Sequence, residues 1–234
     1  MDITLPSSDY ESIIEFASII AEPNENIRSI ILEELAKRFG YTKSIFWVAD
    51  DEGNLFDPVF YGLNDRAIYS YVDNYYKYDL LHPQRNLPLY QSKKLLRLID
   101  VVMPEEYETS TFYQGFMVPQ NTYDEMVITL THENKLVGVL GLGGIEKNTF
   151  TSIDCKRFLM MSELIGTTFI YQYQTDPILL SEREKEVVAL VKEGKTNKEI
   201  ATKLYISHNT VKKHLQNIYR KYGVKNKIQL VQKL

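Results

Sequence analysis

The sequence predicts an α+β domain over residues 1–173 and an all-α four-helix domain over residues 179–234, joined by a linker at 174–178. Three observations predict this. Hydrophobic patterns in the first domain follow the order helix, helix, strand, strand, helix, and later strand, strand, helix. That order packs as an α/β/α sandwich, a sheet with helices on its faces. The second domain crowds four helical stripes, each with start or stop signals, into a short stretch. The charge divides at the same place: residues 176–234 carry 13 Lys+Arg against 6 Asp+Glu, net +7, while residues 1–175 carry net −11.

In chain order, Tyr10 to Ile20 and Asn26 to Phe39 read as two amphipathic helices, the second stopped by Gly40. Ser44 to Ala49 is strand-like, Asp51-Glu52-Gly53-Asn54 a turn, and Leu55 to Tyr61 a second strand. Asp65 to Tyr78 reads as one helix rich in tyrosine, and Pro83 and Pro88 mark a loop. Glu125 to Thr131 and Lys135 to Leu142 form a hairpin around His132-Glu133-Asn134, ended by Gly141, Gly143 and Gly144. Ser152 to about Tyr173 is a long helix leading into the linker.

The C-terminal helices are the most strongly signalled. Ser181 and Glu184 form a capping box before the stripe Val187, Val188, Leu190, Val191, and Gly194 stops that helix. Thr196 and Glu199 form a second box before Ile200, Ala201 and Leu204. Tyr205 and Ile206 make a tight turn, Ser207 caps a third helix over His208 to Tyr222, and Gly223 ends it. A fourth helix covers Asn226 to Leu234. With Val211, Leu215 and Ile218 buried, Asn209, Lys213, Gln216 and Arg220 point the opposite way, with Lys212 beside them. That face is basic and free of carboxylates. A tight turn before such a helix is built to set it into the major groove of DNA. Lys donates to guanine or phosphate and Gln reads adenine. Arg220 and Lys221, near the helix end, are expected on the phosphate backbone. Thr196 and Asn197 open the second helix, whose N–H groups suit a phosphate.

Composition excludes other classes. Apolar content of 44% and charge of 25% are those of a globular protein. Apolar runs fall short of a membrane span. MDITLPSSDYES lacks the basic and apolar parts of a secretory leader, so a cytoplasmic protein is expected. The single cysteine, Cys155, allows neither an internal disulfide nor a cysteine-based zinc site. His82, His132, His208 and His214 have no metal-binding spacing, so no metal is expected. Gly141-Leu142-Gly143-Gly144 lacks the Lys-Ser/Thr of a phosphate loop, and no nucleophile elbow occurs. Neither catalysis nor a cofactor is expected.

The blocks L-S-x-R-E-x-E-V-x-x-L, G-x-T-N-K-E-I-A and I-S-x-x-T-V-K-x-H-x-x-N-I-x-x-K, in this order from Leu180, resemble the LuxR-type helix-turn-helix domain. The resemblance implies that Thr210-Val211-Lys212 opens the recognition helix. It also implies that the fourth helix, with Ile228 to Leu234, carries dimer contact. The start of that helix departs mildly from the family, being Lys225-Asn226-Lys227.

Upstream, Phe112, Tyr113, Phe116, Pro119, Val137, Gly138 and Leu140 match a pattern similar to the GAF/PAS-like sensor domains that precede such units. This implies a fold without naming a ligand. The lactone-binding members carry a tryptophan, a tyrosine and an Asp-Pro pair along one helix and loop. Here Tyr71 precedes Asp79 by eight residues, but Leu80 stands in place of the proline and Trp47 lies on a strand. An acyl-homoserine lactone is therefore not the expected effector. The aromatic supply still suits a small-molecule pocket, and Trp47, Tyr71, Tyr75, Asp79 and Tyr90 are its candidates.

Asp100-Val101-Val102-Met103-Pro104 mimics a receiver phosphoacceptor, with Asp50 and Asp51 as an acidic pair. Some forty residues of helical pattern precede Asp50, which a receiver does not have. The expectation is a homodimeric, sequence-specific regulator binding double-stranded DNA at a two-fold related site. The alternatives are a ligand-independent interaction protein with a DNA-binding head, and a degenerate receiver.

Overall fold

The computed structural model describes residues 4–24, 26–50, 53–174, 180 and 182–234. The chain divides into two compact units, Met1–Gln172 and Tyr173–Leu234. The predicted Ser181 cap and most of the predicted linker lie outside the described residues.

The N-terminal unit contains α1 (Ser7–Ala21), α2 (Ile27–Phe39), β1 (Ser44–Ala49), β2 (Leu55–Tyr61), α3 (Asp65–Ser70), α4 (Leu87–Ser92), β3 (Leu95–Arg97), α5 (Pro104–Glu108), β4 (Asp124–His132), β5 (Lys135–Gly144) and α6 (Ser152–Gln174). The sheet is antiparallel in the order β2-β1-β5-β4-β3. Its register sorts side chains onto two faces. Phe46 pairs with Leu140 and Leu140 with Ile128 on one face. There Phe46 meets Phe169 of α6, ring centroids 5.0 Å apart, and Phe16, Ile31, Leu32 and Leu35 of α1 and α2 are fully buried. Ile45 pairs with Gly141, and Gly141 with Val127, on the opposite face. Trp47, Leu81, Tyr90, Leu96, Val127 and Val139 form a separate buried cluster on that side.

Ion pairs fasten the helical layer. Arg28 of α2 donates to Asp57 of β2 at 2.7 Å, with both side chains buried. Arg157 of α6 reaches Asp9 of α1 at 2.8 Å and Asp154 at 2.8 Å, while the Tyr41 hydroxyl donates to Asp154 at 2.7 Å.

Three expectations need correction. The tyrosine-rich segment is not one α-helix: α3 ends at Ser70, a wide π turn spans Tyr71–Tyr75, and a 3-10 turn spans Tyr76–Tyr78. The wide turn lets the Tyr71 hydroxyl reach back to Asp79, which helical continuation would not favour. The glycines at 141, 143 and 144 do not end the hairpin, because β5 runs through them. A fifth strand, β3, also escaped the sequence pattern, since three residues are too few to show alternation.

The C-terminal unit contains α7 (Glu182–Lys192), α8 (Asn197–Lys203), α9 (His208–Tyr222) and α10 (Lys227–Lys233). Val187, Val191, Ile200, Val211, Leu215, Ile218 and Leu230 close its core. Gly194 and Gly223 sit at φ 76° and 61°, the left-handed conformation that glycine adopts without a Cβ clash, and they end α7 and α9 as predicted.

Candidate functional site

The head's surface follows from how α9 starts and what it buries. Ser207 accepts from the Thr210 N–H at 3.0 Å, fixing the helix start directly after the turn. Val211, Leu215 and Ile218 face inward, while Asn209, Lys212, Gln216 and Arg220 are exposed and Lys213 is half-exposed beside them. These five sequence candidates share one side of one helix.

Two other candidates do not share it. Thr210 is 3% exposed, and its hydroxyl lies 2.8 Å from Ser207 Oγ, so it holds the helix start and presents no surface. Lys221 is not a surface phosphate ligand: its Nζ donates to Glu184 Oε2 at 2.6 Å, with the two side chains 6% and 1% exposed. At 100° per residue Lys221 falls on the same flank as Thr210, which faces α7. The sequence assigned Glu184 to a cap, and this long-range pair was invisible to local spacing. Thr196 is committed too: its N–H and hydroxyl both bond Glu199 Oε2, at 2.7 and 2.8 Å, placing a carboxylate where a phosphate was expected. Asn197 beside it is half-exposed.

The N-terminal unit holds a cleft on the sheet face opposite α1, α2 and α6. It contains about 720 Å³ of empty space, counting the open solvent at its mouth. Its floor is β1, β4 and β5; Tyr71, Asp79, Leu81 and Phe116 come from the segments over the sheet. The glycines of β5 make the room. Gly141 lies opposite Val127 and Ile45, and Gly143 opposite Glu125, so no side chain rises from β5 at either position. A Cβ on Gly141 would come within 3.0 Å of Ile45, and one on Gly143 within 3.1 Å of Thr122.

Of the sequence candidates, Trp47, Tyr71 and Asp79 line this cleft together. The Tyr71 hydroxyl donates to Asp79 Oδ2 at 2.6 Å, and the Leu81 N–H donates to Oδ1 at 2.8 Å. Burial raises the Asp79 carboxyl above its ordinary range, opposed by the Tyr71 hydrogen bond and by His82 and Arg85 nearby. Burial, and then Asp79, likewise raise the Tyr71 hydroxyl. Tyr75 and Tyr90 are not brought to the cleft. Tyr75 packs on Phe116 at 5.9 Å in a neighbouring aromatic cluster. Tyr90 is 7% exposed and donates to the Leu81 carbonyl at 2.9 Å, so it holds the wall from behind.

Sequence reading missed Glu125. It lies one strand position beyond Val127 on the cleft face, and its Oε2 is sealed from solvent with no hydrogen-bond partner among the described residues. Burial, then Asp79 and Asp124, push its carboxyl well above the usual range. The available signal was alternation: Glu125 shares a strand face with Val127 and Thr129, a face that Tyr71, Asp79 and Leu81 cover. The receiver mimicry dissolves as well. Asp100 bonds Arg97 at its own helical turn, with Arg97 Nη2 to Asp100 Oδ1 at 3.1 Å, and Asp50 accepts from Asn54. Among the described residues no three His, Cys, Asp or Glu gather as for a metal, and no helix is long and apolar enough to cross a membrane.

Comparison with known proteins agrees with both halves. Residues 179–234 match the family model of bacterial regulatory proteins of the luxR family. The chain is 27% identical over 218 residues to the monoamine regulon transcriptional regulator of Klebsiella aerogenes, covering 92% of this chain and 93% of that protein. It is 46% identical over 63 residues to the spore germination protein GerE of Bacillus subtilis, covering 27% of this chain and 84% of that one. The crystal structure of Escherichia coli SdiA superposes with a TM-score of 0.52 at 19% identity, covering 96% of this chain and 94% of that chain. The N-terminal sheet and its flanking helices have a GAF-like fold. The chain belongs to the LuxR family of transcriptional regulators, with its helix-turn-helix unit at residues 179–234 behind a GAF-like domain.

Proposed function

We propose that this regulator reads a two-fold related DNA site as a homodimer, under the control of a small molecule held by the N-terminal domain. The observation that carries the DNA half is the outward face of α9, where Asn209, Lys212, Lys213, Gln216 and Arg220 gather with no carboxylate among them. Lys213 and Gln216 address base edges, and Arg220 addresses the phosphate backbone. Asn197, at the start of α8, adds a backbone contact. Self-association is supported by α10, where Ile228 and Val231 are 74% and 49% exposed although Leu230 between them is fully buried. The cleft beneath Tyr71 and Asp79 supports the effector half. A structure of SdiA in complex with octanoyl-rac-glycerol, at a TM-score of 0.50, supports the idea that this fold accommodates a small molecule. The name of the Klebsiella aerogenes relative attaches it to a monoamine regulon, which supports control of a set of genes by this chain. An effector regulates only if it binds the DNA-competent and incompetent states unequally.

The test is a quantitative binding assay on a selected DNA site. Lys213→Ala and Gln216→Ala should each weaken that site by ~1–3 kcal/mol and leave nonspecific DNA unchanged. Arg220→Ala should weaken all sequences alike and lower the slope of log affinity against log salt by about one. Wild-type behaviour of all three variants rejects the assigned face.

A second reading draws on the exposed Leu159, Met160 and Tyr171 of α6, at 52%, 42% and 64%. The N-terminal unit then binds another protein without an effector. Native mass spectrometry of the purified chain separates the two: a retained small molecule favours the sensor, and a retained protein favours the interaction domain.

A further inference from the structure

The cleft pairs an apolar, aromatic wall with two carboxylates, Glu125 and Asp79, of which only Asp79 has hydrogen-bond donors and cations set near it among the described residues. Glu125 rises from its floor with Oε2 partnerless and sealed from solvent. Asp79 stands on the opposite wall, its oxygens already accepting from Tyr71 and Leu81, which holds it as an acceptor. Lys43 is at the edge, but its ammonium is tied to the Gln120 and Asn121 carbonyls at 2.6 and 2.7 Å and to Thr122 Oγ1 at 3.3 Å. Among the described lining residues, therefore, no cation is directed at Glu125. A buried carboxylate without a counter-charge is costly, and removing that cost is what a ligand can supply.

We propose that the cleft binds a primary amine, its ammonium seated against the Glu125 and Asp79 carboxylates and its apolar body along Trp47, Tyr71 and Phe116. This inference rests on the reading of the N-terminal unit as an effector domain. An ammonium brings the missing charge and N–H donors for both carboxylates. The ring faces of Trp47, Tyr71 and Phe116 attract a cation as well as an apolar chain. An anion would meet the Asp79 acceptor and find no cation directed at it from the described lining residues. A neutral carbonyl compound would use Glu125 only as a protonated donor and would leave Asp79 without a role. The groups facing Glu125 are Asp79, Asp124, Tyr71, Tyr90 and Tyr107, with Lys43 at the rim. Burial and the neighbouring carboxylates raise the Glu125 carboxyl and a seated ammonium opposes that rise, so ammonium binding should release protons.

Isothermal titration of the full chain with 2-phenylethylamine, n-hexylamine, 2-phenylethanol and phenylacetate tests this on wild type alone. The expected order places both amines at least tenfold tighter than the alcohol, with no phenylacetate binding. Repeating the amine titration at pH 7 in buffers of different ionisation enthalpy should show proton release. Glu125→Gln keeps the shape and a donor while removing the charge. It should weaken both amines at least tenfold, spare the alcohol and abolish the proton release. Alcohol binding as tight as amine binding, or amine binding unchanged in Glu125→Gln, overturns the amine assignment and leaves the effector reading standing. If none of the four probes binds, and native mass spectrometry finds no retained small molecule, the effector reading falls with it.

Discussion

Each unit closes a buried ion pair of its own, Arg28 with Asp57 in the N-terminal unit and Lys221 with Glu184 in the head, but only the N-terminal cleft adds a carboxylate outside such a pair, among the described residues. In the C-terminal head, the Glu184 carboxylate sinks to 1% exposure beside Lys221, which takes it at 2.6 Å. In the N-terminal unit, Glu125 Oε2 is sealed from solvent without a hydrogen-bond partner among the described residues. The head thus sets a cation of its own against its buried carboxylate, while Lys212, Lys213 and Arg220 stand on the outward side of α9. The other unit, whose composition is net acidic, has a carboxylate in its cleft that no described lining cation approaches. A buried pair closed within the protein serves the fold. A carboxylate outside such a pair, set in a cleft and with a shifted pKa, is a candidate for function.

Lys221→Ala is the strongest way to break that contrast. Removing one partner of a buried pair should cost the head ~3–5 kcal/mol, because Glu184 would stay buried without its cation. The check is chemical denaturation of the full chain, with the head's transition followed separately. DNA affinity measured well below that transition should be unchanged in its salt slope. A normal transition with a reduced salt slope would return Lys221 to the DNA surface and make the head's interior resemble the cleft.

Tyr71→Phe probes the other side with a smaller effect. It removes a hydrogen bond to a carboxylate, about 1.5–3 kcal/mol of stability in the N-terminal unit. The sign with pH follows from Asp79, whose carboxyl burial has raised and which the Tyr71 hydroxyl pulls back down. Without that hydroxyl the folded-state carboxyl rises further from its unfolded value. A group raised on folding loses stability as pH climbs from its unfolded towards its folded pKa, and the variant loses it over a wider window. The deficit of Tyr71→Phe should therefore be widest at neutral pH and narrow in acid, where Asp79 is protonated in both proteins. Thermal melts across pH 4 to 8, on the order of the range where such groups titrate, check it. A deficit that grows in acid would mean that the hydroxyl serves a protonated Asp79.

The same contrast explains what the sequence revealed. The head's evidence is local: Ser207, Gly194 and Gly223 sit beside the helix ends they fix, and the face of α9 follows from one periodicity. Spacing misled where its chemistry crosses helices, at Glu184 and Lys221, and at Thr210 and Thr196, whose hydroxyls are taken up by the helix starts. The cleft's evidence is non-local. Tyr71 and Asp79 were found together because a short turn joins them, eight residues apart. Glu125 acquires meaning only from Gly143 across the hairpin and from Asp79 over the sheet. Gly141 and Gly143 looked like punctuation because a glycine that empties a cleft and a glycine that ends a strand are the same letter. Tyr75 and Tyr90 were chosen for being aromatic and nearby, and the core claimed them.

The smallest effect is the sharpest on this point. Ser207→Ala should lower the head's stability by ~1 kcal/mol, since its hydroxyl accepts from the Thr210 N–H at 3.0 Å and satisfies one of the first-turn donors of α9. The consequence for DNA should exceed that figure's share of stability. Asn209 and Lys212 stand in or next to the turn that frays, so their contacts would be lost in proportion to the time the turn spends open. Two measurements on one variant decide: the denaturation midpoint and the affinity for the selected site. A lowered midpoint with weaker specific binding, rescued by Ser207→Asp, which caps as well, identifies a positioning role carried by the backbone. An unchanged midpoint with weakened binding, not rescued by Ser207→Asp, would place the hydroxyl on the DNA itself. In that case even the head, the more legible unit, would hold chemistry that its local signals disguised as structure.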